Sequence, residues 1–283
     1  MAIILQESGG EALLGIRAPL ALGDAEGAIR GKRLVRDWHK RPSSHRSIME
    51  AILASVDPLS LSWACGCTAL SGAFYYALPS KPQLSFAQRF EWSVRCVEAL
   101  QGAYIAAAAA GHLLTRSGAL PVPVVQSMAG YLLFDLAYEV LGPVLRGTAL
   151  DAAFISHHVV GLAAHGLAKR HALLRTVTPY VYLAEFSTPF LHASWMLNLL
   201  DRAKSDLFLV NGLAGAAAYV AFRVFLPPLT LWRHRDAGPW LAEPGGAAVH
   251  SAFLASMVVF IGLNLFWFRK LVRMVASKLG DKA

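Results

Sequence analysis

The chain has 283 residues, of which 55% are hydrophobic and 16% are charged, and its mean hydropathy is +0.45. Because a soluble domain carries about 25% charged residues, this composition excludes an ordinary soluble globular protein. The net charge of +8 comes from loops and tails, which favours contact with anionic lipid head groups over binding of nucleic acid.

Residues 1–58 differ from the rest, because several glycines are followed by a basic cluster between Arg30 and Arg46. We predict a flexible cytoplasmic N-terminal region with one surface helix near residues 48–56. The apolar stretch at residues 3–5 is too short for a signal peptide, and the acidic residues of this region argue against a transit peptide. Residues 59–275 are predicted to form a membrane domain, followed by a C-terminal tail at 276–283.

Apolar runs of about 20 residues, the length that crosses a bilayer core, occupy the membrane domain. They predict an all-α polytopic membrane protein with six to seven transmembrane helices. The candidate spans are 59–78, 92–114, 122–145, 152–168, 177–199, 207–226 and 249–271. The surplus of Lys and Arg in the loops on the side of the N-terminal region predicts that this side is cytoplasmic.

A set of ionisable side chains lies inside these apolar runs. An acid at the centre of a spanning helix costs about 2.5–3.5 kcal/mol, so several are tolerated only where they face a protein-lined interior. The set comprises Asp135, Glu139, His157, His158, Glu185 and His192. It predicts a polar site inside an apolar bundle.

Helical spacing aligns these residues. His158 and His165 are seven residues apart, as are Glu185 and His192, and such pairs lie within about 20° of each other on a helix. The other members of these faces are Asp135, Tyr138 and Glu139 on the third span and Thr188 on the fifth. Three successive helices are therefore expected to direct acids and imidazoles at one cavity.

Structural roles are the alternative for some of these residues. Asp135 or Glu139 would pair with an arginine of another helix, because intramembrane charges are often paired. The candidate arginines are Arg95 and Arg223. His165 is expected to be a hydrogen-bonded core or interfacial residue.

The cysteines Cys65, Cys67 and Cys96 have neither the number nor the spacing of a zinc site or a disulfide framework, and we expect them to be small core residues. The histidines lack the repeated boxes of a membrane di-iron enzyme. No metal and no resident cofactor are expected.

Three stretches around the polar residues resemble the TLC domain, the membrane module shared by ceramide synthases, translocon-associated TRAM proteins and a set of lipid-homeostasis proteins. They read YLLFDLAYEVL, DAAFISHHVVGLAAHG and YVYLAEFSTPFLHASWML, and an upstream EWSVRCVEALQ resembles the segment that opens the domain. The resemblance covers roughly residues 55 to 275.

The resemblance implies a helical barrel around a lipid-accessible tunnel, usually in the endoplasmic reticulum. It equates Asp135 with the family aspartate, and His157 and His158 with the histidine pair that supports acyl transfer from acyl-CoA to a sphingoid amine in ceramide synthases. The chain departs from those enzymes at residues 160–162 and at Glu185, and Gln101 stands where many of the smaller family members have His. It is more similar to the divergent TLC-domain-containing proteins.

A neutral imidazole beside an acyl chain can deprotonate an attacking amine or hydroxyl, or accept the acyl group itself, if an acid fixes its tautomer. Because helix neighbours diverge by about 100°, only one of His157 and His158 is expected to point fully into a cavity. Asp135 is the candidate orienting acid of this catalytic group. The candidate substrate-binding residues are Glu185, Tyr138, Glu139, Thr188 and His192.

Two functions stay open at this point. The first is a ceramide-synthase-like acyltransferase that takes acyl-CoA as co-substrate, and the second is a non-catalytic lipid sensor, carrier or regulator of membrane composition. Membrane lipids are the expected partners of both. Small residues within the spans also permit a homodimer.

Overall fold

The computed structural model describes residues 56–77, 84–115, 118–146, 148–242 and 244–280, with side chains except those of residues 145, 146 and 274–280. Residues 1–55 and 281–283 lie outside the described residues, and with them almost all of the predicted N-terminal region and the end of the C-terminal tail. Every regular element in the described ranges is a helix.

The chain folds into a bundle of long helices joined by short connections. The α-helices of the described ranges are α1 (Pro58–Ala77), α2 (Phe86–Thr115), α3 (Val122–Arg146), α4 (Ala152–Ala168), α5 (Ala172–Tyr182), α6 (Thr188–Leu199), α7 (Asp206–Tyr219), α8 (Leu226–Arg233) and α9 (Gly246–Gly280). A 3₁₀ turn, Leu183–Ser187, joins α5 to α6, and a π-helical segment, Val220–Phe225, joins α7 to α8.

Three segments among the described residues are long and apolar enough to cross a membrane. They are Val122–Val144 in α3, Asp206–Arg233 in α7 and α8, and Gly246–Arg273 in α9, while the apolar helix α4 is shorter. The chain is therefore an integral membrane protein, and the count of six to seven spans and the barrel stay predictions.

The predicted fifth span, 177–199, is not one continuous α-helix. The structure divides it into α5, the 3₁₀ turn Leu183–Ser187 and α6. Pro179 and Pro189 lie on either side of this turn, and neither can donate a backbone hydrogen bond. Backbone groups freed in an apolar region must find other partners, so the turn needs hydrogen-bond donors from another part of the protein.

Helices α1 and α3 approach each other closely at Gly130. A Cβ atom at this position would lie 2.3 Å from the carbonyl oxygen of Ser60 and 2.5 Å from the Cβ of Trp63. A core of buried apolar side chains continues from this contact into α2, α4, α5 and α9. This packing fixes α3, which carries the acids of the polar site.

Asp57 caps α1 and ties it to two other helices. Its Oδ1 accepts hydrogen bonds from the backbone N–H groups of Leu59 and Ser60 at 2.9 and 3.0 Å and from Gln126 Nε2 at 3.0 Å. Its Oδ2 accepts a hydrogen bond from Lys169 Nζ. The starts of α1 and α3 and the end of α4 therefore meet at one end of the bundle, the Asp57 end.

Asp151 caps the opposite end of α4. Its Oδ1 accepts hydrogen bonds from the backbone N–H groups of Ala153 and Phe154 at 2.9 and 3.3 Å. Helix α3 ends and α4 begins here, so this region is called the Asp151 end. The 17 residues of α4 separate the two ends by about 25 Å.

Burial raises the pKa of Asp57, but the Lys169 ammonium and hydrogen bonds from Ser60 and Gln126 outweigh it and hold this pKa well below its usual range. A depressed pKa contributes stability that is present above the unfolded pKa of about 3.9 and is lost as the pH falls.

We expect the unfolding temperature of the wild type to fall more steeply than that of Asp57→Asn between about pH 5 and pH 3. Thermal unfolding in detergent at stepped pH checks this. Parallel curves would show that the carboxylate does not stabilise the fold.

Candidate functional site

Two adjoining chambers lie inside the bundle. The apolar chamber has a volume of about 120 Å³ and the polar chamber about 80 Å³. The residues that line both are Met128, Leu132, His157 and Glu185. Helix α4 runs along both chambers, with its first turns beside the polar one and its last turns beside the apolar one. The polar chamber therefore lies towards the Asp151 end and the apolar chamber towards the Asp57 end.

The centre of the polar chamber is a contact between α3 and α4. His158 Nε2 lies 2.7 Å from Asp135 Oδ2, and His158 Nδ1 lies 2.8 Å from the carbonyl oxygen of Phe154. Because a carbonyl can only accept, Nδ1 carries a proton, and a second proton is shared between Nε2 and the carboxylate. The Tyr131 hydroxyl donates to the same Oδ2 at 3.3 Å. Both ring nitrogens of His158 are therefore in use.

His157 occupies a different setting. Its ring stacks on Phe260 with centroids 5.9 Å apart and meets the edges of Trp267 and His158 at 5.6 and 5.4 Å. No other described residue hydrogen-bonds to this ring, which lines both chambers. The two histidines thus have different roles, with His158 fixed by Asp135 and His157 facing the space between the chambers.

Helix α2 contributes a buried charged network. Arg95 donates to Glu91 Oε1 at 3.1 Å and to Glu98 Oε2 at 3.2 Å, and His192 Nδ1 lies 3.1 Å from the same Glu98 oxygen. Arg95 also lies 5.8 Å from the ring centre of Trp195. Glu91 and Glu98 were absent from the sequence-based site, although their spacing from Arg95 on a largely apolar helix is the signal of intrahelical ion pairs.

Arg223, in the π-helical segment, holds the 3₁₀ turn between α5 and α6. Its Nε donates to the carbonyl oxygen of Ala184 at 3.0 Å and to Ser187 Oγ at 2.8 Å. Its Nη2 donates to Thr188 Oγ1 at 2.8 Å and to Glu185 Oε2 at 3.3 Å, and the Thr188 hydroxyl donates to the same carboxylate at 2.6 Å. Arg223 therefore supplies a hydrogen-bond donor to a backbone carbonyl group of the turn, that of Ala184.

The remaining residues that the sequence predicted for the site do not all line the polar chamber. Glu139 lines the polar chamber, whereas Tyr138 packs against Phe90 at 5.6 Å and does not line it. The alternative pairing of Asp135 or Glu139 with an arginine is wrong for the described residues. Arg95 pairs with acids of its own helix and Arg223 with Glu185, because these acids lie closer to each guanidinium.

The cysteines form no disulfide. Cys67 is buried, Cys96 is half-buried and Cys65 is exposed, so the expectation of a core residue is wrong for Cys65, which faces outwards from α1. No group of three His, Cys, Asp or Glu residues among the described ones is arranged to hold a metal ion.

A sequence model of the TLC domain matches residues 91–273 of the chain. TLC domain-containing protein 4 of Xenopus tropicalis is 26% identical over 208 residues, which cover 68% of this chain and 77% of that protein. TLC domain-containing protein 4-B of Danio rerio is 30% identical over 150 residues, 51% of this chain and 54% of that protein. The human TLC domain-containing protein 4 is 26% identical over 207 residues, 68% of this chain and 77% of that protein. No solved structure matches the chain.

Proposed function

The chain belongs to the TLC domain family, and from that premise we propose that it binds one membrane lipid across both chambers and acts in lipid metabolism or homeostasis. The observation that carries the proposal is the adjoining pair of chambers, one lined mainly by apolar side chains and the other by charged ones. A lipid has the same division between hydrocarbon and head group. By the family resemblance we place it in the endoplasmic reticulum.

The polar chamber favours a head group that donates hydrogen bonds. Asp135 Oδ1 is buried and accepts no hydrogen bond from a donor group of the described residues, although the Asp135 carboxyl group lies within hydrogen-bonding reach of the Glu98 carboxyl group, and the carboxylate of Glu139 faces the same chamber. A buried acceptor without a partner costs about 1–3 kcal/mol. An amine or hydroxyl of the lipid would supply the missing donor.

The position of His157 supports acyl transfer as the chemical step. A general base needs an accessible nitrogen within reach of both reacting groups, and His157 lines the junction between the chambers while both nitrogens of His158 are engaged. In this step His157 takes the proton of the attacking amine or hydroxyl, the new amide or ester bond forms, and the thioester bond of an acyl-CoA breaks. The proton then passes from His157 to the thiolate that leaves. Asp135 and His158 hold the acceptor end of the lipid.

One observation favours the second candidate function, a lipid sensor or carrier without turnover. In hydrolytic triads a carboxylate orients the catalytic imidazole, but the ring of His157 is packed by the aromatic residues Phe260 and Trp267, and no described carboxylate bonds to it. Lipid binding is common to both functions, and turnover separates them.

The orientation in the membrane decides which acyl donor reaches His157. The N-terminal region precedes α1 at the Asp57 end, whereas the polar chamber lies towards the Asp151 end. A cytoplasmic N-terminal region, as the loop charges predict, turns the polar chamber away from cytoplasmic acyl-CoA. A cytoplasmic acyl-CoA donor therefore requires the N-terminal region to lie on the opposite face.

The test uses a long-chain amino alcohol that carries a photoreactive diazirine either beside the head group or at the end of the chain. We expect the head-group probe to label peptides that contain Glu139 or His158 and the chain-end probe to label peptides that contain Leu167 or Phe253, which line the apolar chamber. Labelling of the exposed outer face of α7 by both probes would contradict binding inside the bundle.

A further inference from the structure

The apolar chamber contains a pair of polar side chains that the proposed function does not use. His165 on α4 and Tyr182 at the end of α5 stack with ring centroids 5.5 Å apart and planes 14° from parallel. His165 is 9% exposed and Tyr182 is 2% exposed, and both line the chamber. The polar residues that bear on the reaction centre line the other chamber, and two of them, His157 and Glu185, lie at the junction of the two chambers.

Each of these side chains has one polar atom without a partner. His165 Nδ1 donates to the carbonyl oxygen of Gly161 at 2.5 Å, so the neutral ring leaves Nε2 as a pure acceptor. His165 Nε2 and the Tyr182 hydroxyl are both buried, and neither has a hydrogen-bond partner among the described residues. Buried polar groups are nearly always paired, so two such atoms on neighbouring residues of one cavity wall point to a polar group that the bound molecule brings.

We propose that His165 and Tyr182 form a hydroxyl-binding station, which hydrogen-bonds a neutral hydroxyl group on the hydrocarbon part of the bound lipid. The proposal rests on the lipid binding proposed above. A hydroxyl can donate to His165 Nε2 and accept from the Tyr182 hydroxyl at once. A charged group does not fit, because the ionisable residues of this chamber other than His165 and Tyr182 are His157 and Glu185, at its junction with the polar chamber.

The distance between His158 and His165 along α4 sets how far the hydroxyl lies from the head group of the lipid. His165 follows His158 by seven residues, which is about 10 Å along a helix. An extended hydrocarbon chain spans this distance with roughly eight carbon–carbon bonds of about 1.5 Å each, since the chain zigzags. The station therefore fits a hydroxyl near the middle of a long acyl chain, or the hydroxyl of a sterol that enters the chamber by its polar end.

The experiment compares two pairs of probes that differ only in the hydroxyl: octadecylamine against octadecylamine hydroxylated near mid-chain, and cholestane against cholestanol. Binding is measured on the full-length protein in nanodiscs. We expect a hydroxylated probe to bind the wild type about tenfold more tightly than its partner, the effect of one well-formed hydrogen bond. The pair that shows the preference identifies the source of the hydroxyl.

Tyr182→Phe removes only the phenolic oxygen and should reduce the preference, because the hydroxyl of the probe then keeps only its hydrogen bond to His165 Nε2. Tyr180→Phe is the matched control, because Tyr180 lies on the same helix but does not line the chamber. An undiminished preference in Tyr182→Phe would overturn the station, as would equal affinities within both pairs in the wild type. If no probe of either pair binds, the proposed lipid binding fails together with the station.

A second measurement does not depend on the ligand. Because the Tyr182 hydroxyl is buried without a partner in the lipid-free protein, Tyr182→Phe should raise the unfolding temperature of delipidated protein. Tyr180→Phe should leave it unchanged. A lower unfolding temperature for Tyr182→Phe would show that the hydroxyl has a protein partner, and it would overturn the proposal.

Discussion

Replacement of His157 by alanine is expected to reduce acyl transfer by at least 10²-fold and to leave the folded yield unchanged. The loss follows from removal of a general base, which typically contributes 10² to 10⁴ in rate. The fold should tolerate the change because the ring makes aromatic contacts but no hydrogen bond to another described residue. The measurement is product formation from a radiolabelled acyl-CoA and a long-chain amine by purified protein.

Two variants make this result interpretable. His112→Ala, at the end of α2 and outside both chambers, should match the wild type. Asp135→Asn should lower the folded yield, because it weakens the buried contact with His158 at 2.7 Å. If His157→Ala and His158→Ala both retain wild-type product and wild-type bound lipid, the catalytic interpretation fails and the pair has a structural role.

Arg223→Leu is expected to lower the free energy of unfolding by about 3–5 kcal/mol, the usual cost of removing one partner from a buried ion pair. The change leaves the Glu185 carboxylate without its arginine and frees the carbonyl oxygen of Ala184. The measurement is unfolding of the purified protein by denaturant in mixed micelles, followed by tryptophan fluorescence.

Arg223→Lys should recover part of the loss, because an ammonium keeps the charge but cannot reach both sides of the turn with a planar fork. Arg202→Leu, which replaces an exposed arginine in the connection between α6 and α7, is the control and should have little effect. Equal stability of Arg223→Leu and Arg202→Leu would contradict the role of Arg223 in holding the turn.

Much of the architecture is predictable from the sequence, because a long apolar run identifies a membrane helix by its length alone and needs no helical periodicity. The predicted spans coincide with helices even where their ends shift, as in α2, which begins at Phe86 and not at residue 92. The break in the fifth span is less predictable, since Pro179 and Pro189 suggest a distortion but do not give its position. Its position depends on Arg223, which comes from a distant segment.

Residues of the site that share a helical face could be grouped from the sequence, whereas contacts between helices could not. The contact between Asp135 on α3 and His158 on α4 was an expectation from the family resemblance, because helical spacing does not relate residues of different helices. The choice between His157 and His158 could not be predicted, because it depends on the carbonyl of Phe154 and on Phe260 and Trp267 of α9.

Binding of lipid inside the bundle is the central claim, and native mass spectrometry of the gently purified protein tests it most directly. Ala164 lines the apolar chamber, whereas Ala163, the preceding residue of α4, does not, so Ala164→Phe should fill the chamber and Ala163→Phe should not. We expect wild type and Ala163→Phe to carry one bound lipid per chain and Ala164→Phe to carry none at equal folded yield. Equal lipid occupancy in Ala163→Phe and Ala164→Phe, or no bound lipid in the wild type, would contradict the account.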